Sequence, residues 1–168
     1  DGYFHTGDIG KIVDGNWLMI TDRKKEIFKL SSGKYIAPQA IENKFKESMF
    51  IEQLMVIGEN QKFASAIIAP NFHFLHNWAG KHNFKFRDND ELIADKRVTD
   101  RFMQEVKELN KKLGQTEQIK RIKLVSDNWT PDTGVMSPTM KLKRKVLAEK
   151  YAHLIEEKEV AAPRAVAS

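Results

Sequence analysis

The chain has 168 residues, of which 41% are hydrophobic and 30% are charged, a composition typical of one folded globular domain, with or without part of a second. Its 28 Lys and Arg residues exceed its 23 Asp and Glu residues, and the net charge of +5 is compatible with a nucleotide, a CoA-type phosphate, nucleic acid or an acidic membrane surface as partner. The absence of Cys excludes disulfides, thiolate metal sites and a Cys nucleophile, and no run approaches the ~20 apolar residues that cross a bilayer.

The first 36 residues are expected to be mostly strand. Residues 10–14 and 17–21 are short apolar runs on either side of an Asp-Gly-Asn turn signal, which predicts a β-hairpin. Residues 26–30 and 34–36 predict a second, shorter hairpin around Ser31-Ser32-Gly33, where Gly33 supplies a positive φ. The chain begins at Asp1 rather than Met, and we therefore expect it to be part of a longer protein.

The next segment predicts a helix followed by the core sheet. Pro38 suits the first turn of a helix. Apolar residues follow it at four-residue spacing, namely Ile41, Phe45 and Met49. Residues 52–58 and 63–69 are apolar runs separated by a polar turn, which is typical of adjacent strands that are at least partly buried on both faces.

Two more helices are predicted between residues 71 and 114. Asn71 is a candidate N-cap of the first helix, and Gly114 is expected to end the second. The second helix carries one apolar stripe, namely Val98, Phe102, Val106, Leu109 and Leu113. Residues 83–95, between the two helices, are polar and are expected to be irregular.

The C-terminal part predicts one strand, one long loop and a final helix. Residues 122–126 predict the last strand, and 127–138 predict the loop. Lys141 is expected at the beginning of the final helix, whose apolar stripe consists of Leu142, Val146, Leu147, Leu154 and Ile155. Strands that alternate with helices after a strand-rich beginning indicate an α+β fold, with a short central sheet flanked by helices and preceded by β-hairpins.

Two short patterns that resemble ligand sites are better explained as ordinary structure. His73 and His76 have the spacing H-x-x-H, but the chain has no Cys and no third ligand nearby, so no metal site is predicted. Residues 31–34 resemble the end of a phosphate-binding P-loop. That pattern requires Gly where Phe28 stands and Ser or Thr where Tyr35 stands, so a tight turn is favoured.

Basic residues are dense in three segments, 107–112, 120–123 and 141–145. Most of them alternate with Glu or lie on the solvent side of predicted helices, and no aromatic stacking platform accompanies them. A solvated surface is therefore favoured over a nucleic-acid interface. Lys141 differs, because backbone N–H groups at a helix start and an ammonium group together suit a phosphate or a carboxylate.

Three segments resemble, in the correct order, the last motifs of the adenylate-forming acyl-CoA synthetases: DGYFHTGD (1–8), TDRKKEIFKLSSGKYIAPQAIE (21–42) and SPTMKLKRK (137–145). The Pro-Thr-x-Lys-x-Lys-Arg form and the helical insertion at 71–114 look most like the long-chain fatty acid–CoA ligase (AMP-forming) branch. The resemblance implies the C-terminal domain of an enzyme that converts fatty acid and ATP to acyl-adenylate and pyrophosphate. CoA then displaces AMP to give acyl-CoA.

The resemblance also implies roles for residues of the nucleotide site. Lys141 matches the catalytic lysine, whose ammonium group bridges the substrate carboxylate and the α-phosphate during adenylation. Asp8 and Arg23 match the residues that bind the ribose of ATP and AMP. Lys143, Arg144 and Lys145 are expected to support the helix face or the interface with the missing domain.

Further roles concern a rotation of the C-terminal domain, which acts as a lid with one face for each half-reaction. Lys25 falls at the hinge position of the family, where φ and ψ change as the lid turns. The loop Ser32, Gly33 and Lys34 matches the part of the lid that shapes the CoA tunnel. The sequence does not decide which of these three residues contacts CoA.

The resemblance implies the following domain organisation and partners. Residues 1–22 are the C-terminal end of the large N-terminal adenylation domain, 23–160 form the lid, and 161–168 are a flexible tail. The partners are that N-terminal domain and the substrates fatty acid, ATP and CoA, without nucleic acid. Mg²⁺ is expected to be bound by the N-terminal domain. The fragment alone is expected to be inactive, and the location to be cytoplasmic, with peripheral membrane contact allowed.

Two other classes of function stay open at the level of sequence. The same lid and the same Lys141 suit a ligase that loads an acyl carrier protein, or another adenylating enzyme. A basic α+β module that binds nucleic acid or another protein is the alternative from a different class. Acyl-chain length and oligomeric state are not determined by these residues.

Overall fold

The computed structural model describes residues 6–23 and 26–155, and the chain divides into two compact units, Asp1–Trp129 and Thr130–Ser168. The predicted tail at 161–168 and the predicted hinge residue Lys25 lie outside the described residues.

The first unit begins with the predicted β-hairpin, which is confirmed. Strands β1 (Asp8–Val13) and β2 (Trp17–Arg23) pair antiparallel, and Asp14 and Gly15 in the turn have φ values of 52° and 76°. Large apolar side chains along this hairpin are 50% to 74% exposed, namely Ile12, Trp17, Leu18, Met19 and Ile20. Because consecutive residues of a strand face opposite sides, both faces of the hairpin present apolar surface.

The second hairpin and the first helix follow directly. Strands β3 (Phe28–Lys29) and β4 (Tyr35–Ile36) pair antiparallel, and α1 (Pro38–Phe45) begins at the proline as predicted. The assignment of Met49 to the apolar stripe of this helix is wrong, because its side chain is 67% exposed. Helix α1 ends at Phe45, and beyond it Ser48 Oγ accepts a hydrogen bond from the Phe50 N–H where the chain enters the next strand.

The core sheet has three strands in the order β5, β6, β7. Strands β5 (Ile51–Ile57) and β6 (Ala64–Pro70) pair antiparallel, whereas β6 and β7 (Ile119–Leu124) pair parallel. All seven residues of β6 are buried, and Met55 of β5 is 2% exposed. The prediction of adjacent strands with burial on both faces is therefore confirmed.

Three helices connect β6 to β7. Helix α2 (Phe72–Lys81) has the predicted N-cap, because Asn71 Oδ1 accepts a hydrogen bond of 3.1 Å from the Phe74 N–H. Helix α4 (Lys96–Asn110) ends before Gly114, so the predicted stripe residue Leu113 lies beyond it. Within the described residues, no helix has the length and apolar character of a membrane span.

Helix α3 (Asn89–Ala94) lies in the segment that was expected to be irregular. Asp88 caps it by accepting a hydrogen bond of 2.8 Å from the Glu91 N–H, and Leu92 is its one buried residue. A helix of six residues with one buried side chain has no apolar periodicity to detect. The capping residue is therefore the only local signal for it.

Helices α1 and α4 pack against the sheet and enclose the core of the first unit. Phe45 and Phe102 are fully buried, and the rings of Phe50 and Phe102 meet edge to face with centroids 5.6 Å apart. Glu42 of α1 is 5% exposed, and its carboxylate accepts a hydrogen bond of 2.8 Å from the Val56 N–H. This bond joins the first helix to β5.

The second unit consists of a short hairpin-like loop and two helices. Met136 and Leu142 form an antiparallel bridge, followed by α5 (Arg144–Lys150) and α6 (Ala152–Ile155). The prediction that Lys141 begins the final helix is wrong, because this lysine lies three residues before α5. Taken together, the sheet and its helices confirm the α+β fold class.

We expect Phe102→Ala to lower the free energy of unfolding by about 3–5 kcal/mol, because the change leaves a cavity at a fully buried ring. Met49→Ala removes an exposed side chain and should change it by no more than about 0.5 kcal/mol. Urea unfolding followed by far-ultraviolet circular dichroism measures both. Equal losses for the two variants would contradict the assigned positions of these residues in the core and on the surface.

Candidate functional site

Lys141 lies on a tight hairpin formed by residues 135–143. The Ser137 N–H donates to the Lys141 carbonyl at 2.8 Å, and the Met140 N–H donates to the Ser137 carbonyl at 2.9 Å. Farther from the tip, the Lys143 N–H donates to the Val135 carbonyl at 2.9 Å. These bonds close a three-residue loop, and Lys141 is the first residue of its returning arm.

The residue before Lys141 has an uncommon backbone conformation. Met140 has a φ of 61°, whereas the other described residues with positive φ are Gly, Asn or Asp. A three-residue hairpin loop requires a left-handed residue at its last position. A side chain there costs about 1–2 kcal/mol relative to an ordinary conformation. Met140 satisfies the loop geometry at this cost, and its side chain is 52% exposed.

Ser137 holds the backbone of Lys141 by its side chain as well as by its main chain. Its Oγ accepts a hydrogen bond of 3.1 Å from the Lys141 N–H and lies 2.9 Å from Thr139 Oγ1. The adjacent residues Val135 and Met136 are 2% and 1% exposed, so the outgoing arm is anchored by burial. Lys141 itself is exposed, and no ion pair to it occurs among residues 6–23 and 26–155.

Lys143 also belongs to this hairpin and not to a helix face. It is the residue that precedes α5 and is exposed. The expectation that Lys143 supports the helix face is therefore corrected for this residue, since its backbone pairs with Val135. Arg144 and Lys145 do lie in α5.

The loop Ser32, Gly33 and Lys34 has the same architecture. The Leu30 N–H donates to the Lys34 carbonyl at 2.8 Å, and the Gly33 N–H donates to the Leu30 carbonyl at 2.9 Å. Gly33 has a φ of 84°, as the turn pattern predicted. All three loop residues are exposed. Lys34 thus follows a left-handed residue in one hairpin, as Lys141 does in the other.

The two residues assigned to the ribose lie at the open end of the first hairpin. Asp8 and Arg23 are directly paired positions of β1 and β2, although they are separated by fourteen other residues in the chain. Asp8 is exposed, and its N–H donates a hydrogen bond of 3.3 Å to Thr6 Oγ1. Opposite positions in an antiparallel pair are close neighbours, so the structure brings these two residues together.

The sequence interpretation did not assign roles to Ser137 and Met140. A detectable signal exists for both, because Pro138 suits the first position of a turn and Thr139-Met140 then completes a three-residue loop ahead of Lys141. Within the part of the chain that the structure describes, no group of three or more His, Asp or Glu side chains converges on a metal position. No described residue is therefore assigned to Mg²⁺.

The fold is that of the small C-terminal domain of adenylate-forming enzymes. The model of the AMP-binding enzyme C-terminal domain matches residues 25–159, and the chain belongs to this family. The resemblance inferred from the three motifs is thereby confirmed.

Similar sequences extend across almost the whole chain. The chain is 40% identical over 160 residues to the long-chain-fatty-acid–CoA ligase 1 of Homo sapiens, a match that covers 94% of this chain and 23% of that protein. It is 34% identical over 157 residues to the long-chain-fatty-acid–CoA ligase FadD15 of Mycobacterium tuberculosis, covering 93% of this chain and 26% of that protein. The chain therefore spans about a quarter of the length of these relatives.

Solved structures share the fold. The adenylation domain of a carboxylate reductase from Mycobacterium chelonae superposes with a TM-score of 0.71 at 23% identity, over 90% of this chain and 22% of that chain. The Mycobacterium tuberculosis fatty acyl CoA synthetase gives a TM-score of 0.54 at 23% identity, over 92% of this chain and 25% of that chain. At these identities the likeness shows the fold alone.

We expect Met140→Gly to slow hydrogen exchange of the Ser137 and Lys143 amides, because glycine adopts a positive φ without the strain of a side chain. The local gain should be up to about 1 kcal/mol. Gly33→Ala is the matched control with the opposite expected effect. The added Cβ would contact only Lys29 Cε, at 3.7 Å, so the change introduces backbone strain without a steric clash. It should accelerate exchange of the Leu30 amide. Faster exchange in Met140→Gly would show that the Met140 side chain stabilises the loop.

Proposed function

We propose that this chain is the C-terminal lid of a long-chain fatty acid–CoA ligase, which forms an acyl-adenylate from fatty acid and ATP and then transfers the acyl group to CoA. The observation that carries the proposal is the hairpin that places Lys141, exposed and with no ion-pair partner among the described residues, directly after its loop. An ammonium group held in this way suits a site that another domain completes. The names of the sequence relatives support this choice of reaction.

The proposed role of Lys141 is electrostatic. During adenylation the fatty-acid carboxylate attacks the α-phosphate of ATP, and two negatively charged groups approach one another. The Lys141 ammonium, placed between them, offsets this repulsion and the charge that develops in the transition state. The Ser137 hydrogen bonds to the Lys141 backbone limit the positions that the ammonium can reach. Such restraint lowers the entropy that must be lost on reaction.

The proposed ribose site uses Asp8 and Arg23. A carboxylate accepts hydrogen bonds from both ribose hydroxyls through its two oxygens, and a guanidinium group donates to oxygen atoms of the same sugar or its phosphate. The pairing of these two positions in β1 and β2 supports a joint role. Lys25 follows two residues after Arg23, and we propose it as the hinge.

The proposed domain organisation assigns residues 1–22 to the end of the N-terminal adenylation domain and 23–160 to the lid. Exposed apolar side chains on both faces of the first hairpin support this division, because an isolated two-stranded hairpin is marginal in water and needs a partner surface. The hairpin therefore fits a place within a larger sheet-containing domain.

The proposed acceptor is CoA, with the loop Ser32, Gly33 and Lys34 on its side. The exposed loop and the positive φ of Gly33 let main-chain atoms approach a narrow pantetheine chain closely. An acyl carrier protein as acceptor would use the same adenylation residues. A turnover assay of the longer protein with CoA and with carrier protein in parallel separates the two, and product with carrier protein alone would reject CoA.

The 168-residue chain alone should give no acyl-CoA with ATP, Mg²⁺, palmitate and CoA. The reason is that no segment of it matches the ATP-phosphate loop or the fatty-acid tunnel of the family. Radiolabelled palmitate followed by separation of acyl-CoA measures the product. Product above that of a Lys141→Ala control would contradict the assignment of this chain as a lid.

Lys141→Ala in the longer protein that contains this chain should slow adenylation about a thousandfold. A lysine about 4 Å from a phosphate contributes on the order of 4 kcal/mol at an effective dielectric near 20, and each ~1.4 kcal/mol is a factor of ten in rate. ATP–pyrophosphate exchange measures this half-reaction. Thioester formation from preformed acyl-adenylate should stay close to normal, because it bypasses the step in which Lys141 acts.

Lys145→Ala is the matched control for this experiment, since Lys145 is exposed but lies in α5 beyond the hairpin. It should leave both half-reactions nearly unchanged. Intact exchange in Lys141→Ala, or an equal loss in thioester formation, would reject the proposed role of Lys141.

A further inference from the structure

We propose that Lys143 is a second substrate-binding residue, which binds the β- and γ-phosphates of ATP and the departing pyrophosphate beside Lys141. This inference rests on the proposed function and deepens it. It assigns a role in substrate binding to a residue that the sequence predicts to support the helix face or the interface with the missing domain.

The register of the hairpin places the two lysines on the same side. The Ser137 N–H pairs with the Lys141 carbonyl, the Lys143 N–H pairs with the Val135 carbonyl, and the bridge between Met136 and Leu142 lies between these bonds. Residues 141–143 therefore run as an extended segment, in which alternate side chains project to opposite sides. Lys141 and Lys143 share one side and Leu142 faces the other.

Exposure of the side chains agrees with this alternation. Both lysines are exposed, whereas Leu142 between them is half-buried. The same three residues in a helix would point in three different directions, so the two charges would not meet. The extended backbone at 141–143 is therefore what brings the two ammonium groups to one surface.

The chain segment around the two lysines contains no acidic residue. No Asp or Glu occurs between Asp132 and Glu149, a segment that carries Lys141, Lys143, Arg144 and Lys145. Among residues 6–23 and 26–155, neither Lys141 nor Lys143 forms an ion pair. Two like charges on one side of a short hairpin repel one another, and an anion from outside would remove that repulsion.

Two basic residues just beyond the end of α4 are arranged differently. Lys111 and Lys112 pair with Glu108 and Glu47 at 2.6 and 2.7 Å. Hydrogen bonds from Arg97 hold the pKa of the Asp95 carboxyl below its usual value. Other exposed lysines, such as Lys81 and Lys107, likewise form no ion pair within the described residues, so Lys141 and Lys143 are distinguished by sharing one side of a hairpin.

The separation of the two lysines suits consecutive phosphates. Two residues along an extended segment advance by about 6.6 Å, and flexible lysine side chains can shorten or lengthen the distance between their ammonium groups. With Lys141 at the α-phosphate, the ammonium group of Lys143 can reach the β- and γ-phosphates of ATP. A single carboxylate, with its two oxygens close together, does not require two ammonium groups at this spacing.

The chemistry of adenylation gives the second lysine a function. The carboxylate oxygen forms a bond to the α-phosphorus, and the bond from that phosphorus to the oxygen bridging to the β-phosphate breaks. The electron pair of the broken bond leaves on pyrophosphate, whose negative charge increases, and no proton needs to move. An ammonium group at the β- and γ-phosphates binds ATP and stabilises the leaving group.

Lys143→Ala in the longer protein tests this inference by ATP–pyrophosphate exchange. We expect the KM for ATP and the inhibition constant of pyrophosphate to rise about tenfold each, which is typical of the loss of one hydrogen bond between charged groups. The inhibition constant of AMP should be unchanged, because AMP lacks these two phosphates. Lys143→Arg should retain most of the affinity, and thioester formation from preformed acyl-adenylate should be normal.

Lys145→Ala is the control, and unfolding temperatures of all variants show whether the fold is kept. A Lys143→Ala variant that behaves as Lys145→Ala does, or that weakens AMP and pyrophosphate equally, overturns the inference. These outcomes leave the role of Lys141 standing if Lys141→Ala still loses exchange. Normal exchange in Lys141→Ala rejects the proposed function of that residue, whatever Lys143→Ala does. A wild-type protein without exchange rejects both.

Discussion

The buried central strand β6 is the constraint on which the positions of the loops in the first unit depend. It pairs with β5 on one edge and β7 on the other, and a shift of one residue would move every buried side chain to the wrong face. The turn before it contains Gly58, where an added Cβ would lie 2.9 Å from the Phe63 carbonyl oxygen. Backbone hydrogen bonds then join this turn to the proposed CoA loop, from Asn60 to Lys29 and from Ser31 to Gln61. The loop is therefore held by the register of the sheet.

The two lysine-bearing hairpins both require a residue with positive φ at the end of the loop, and they use different residues for it. Each places a lysine immediately after a left-handed residue, which is Gly33 in one and Met140 in the other. Glycine meets the requirement without strain, whereas methionine retains an exposed apolar side chain at a conformational cost. Stability of the loop alone would favour glycine at both positions. The retention of methionine next to Lys141 is consistent with a site where the chain gives up some stability for function.

Features that arise from local sequence were predictable, and features that depend on where an element ends were not. Asn71 is predictable as a cap, because its side chain accepts a hydrogen bond from a backbone group only three residues away. The assignment of Met49 to the stripe is wrong, because four-residue spacing continues past Phe45 although the helix ends there. Lys141 was placed in a helix because the apolar stripe of α5 extends back to Leu142. Leu142 is half-buried because it belongs to the hairpin, where side chains alternate with a period of two. The sequence prediction assigned it to the 3.6-residue period of a helix.

The difference between a helix and a hairpin at Lys141 matters for the chemistry. The backbone conformation determines whether the side chains of Lys141 and Lys143 lie on the same side. A helix would give Lys141 and Lys143 separate surroundings, whereas the hairpin presents them as one doubly charged surface. In the proposed reaction this surface favours the binding of a polyphosphate. The two ammonium groups repel one another in the free protein, and a bound anion reduces that repulsion. Lys111 and Lys112 do not provide this driving force for anion binding, because each already pairs with a glutamate.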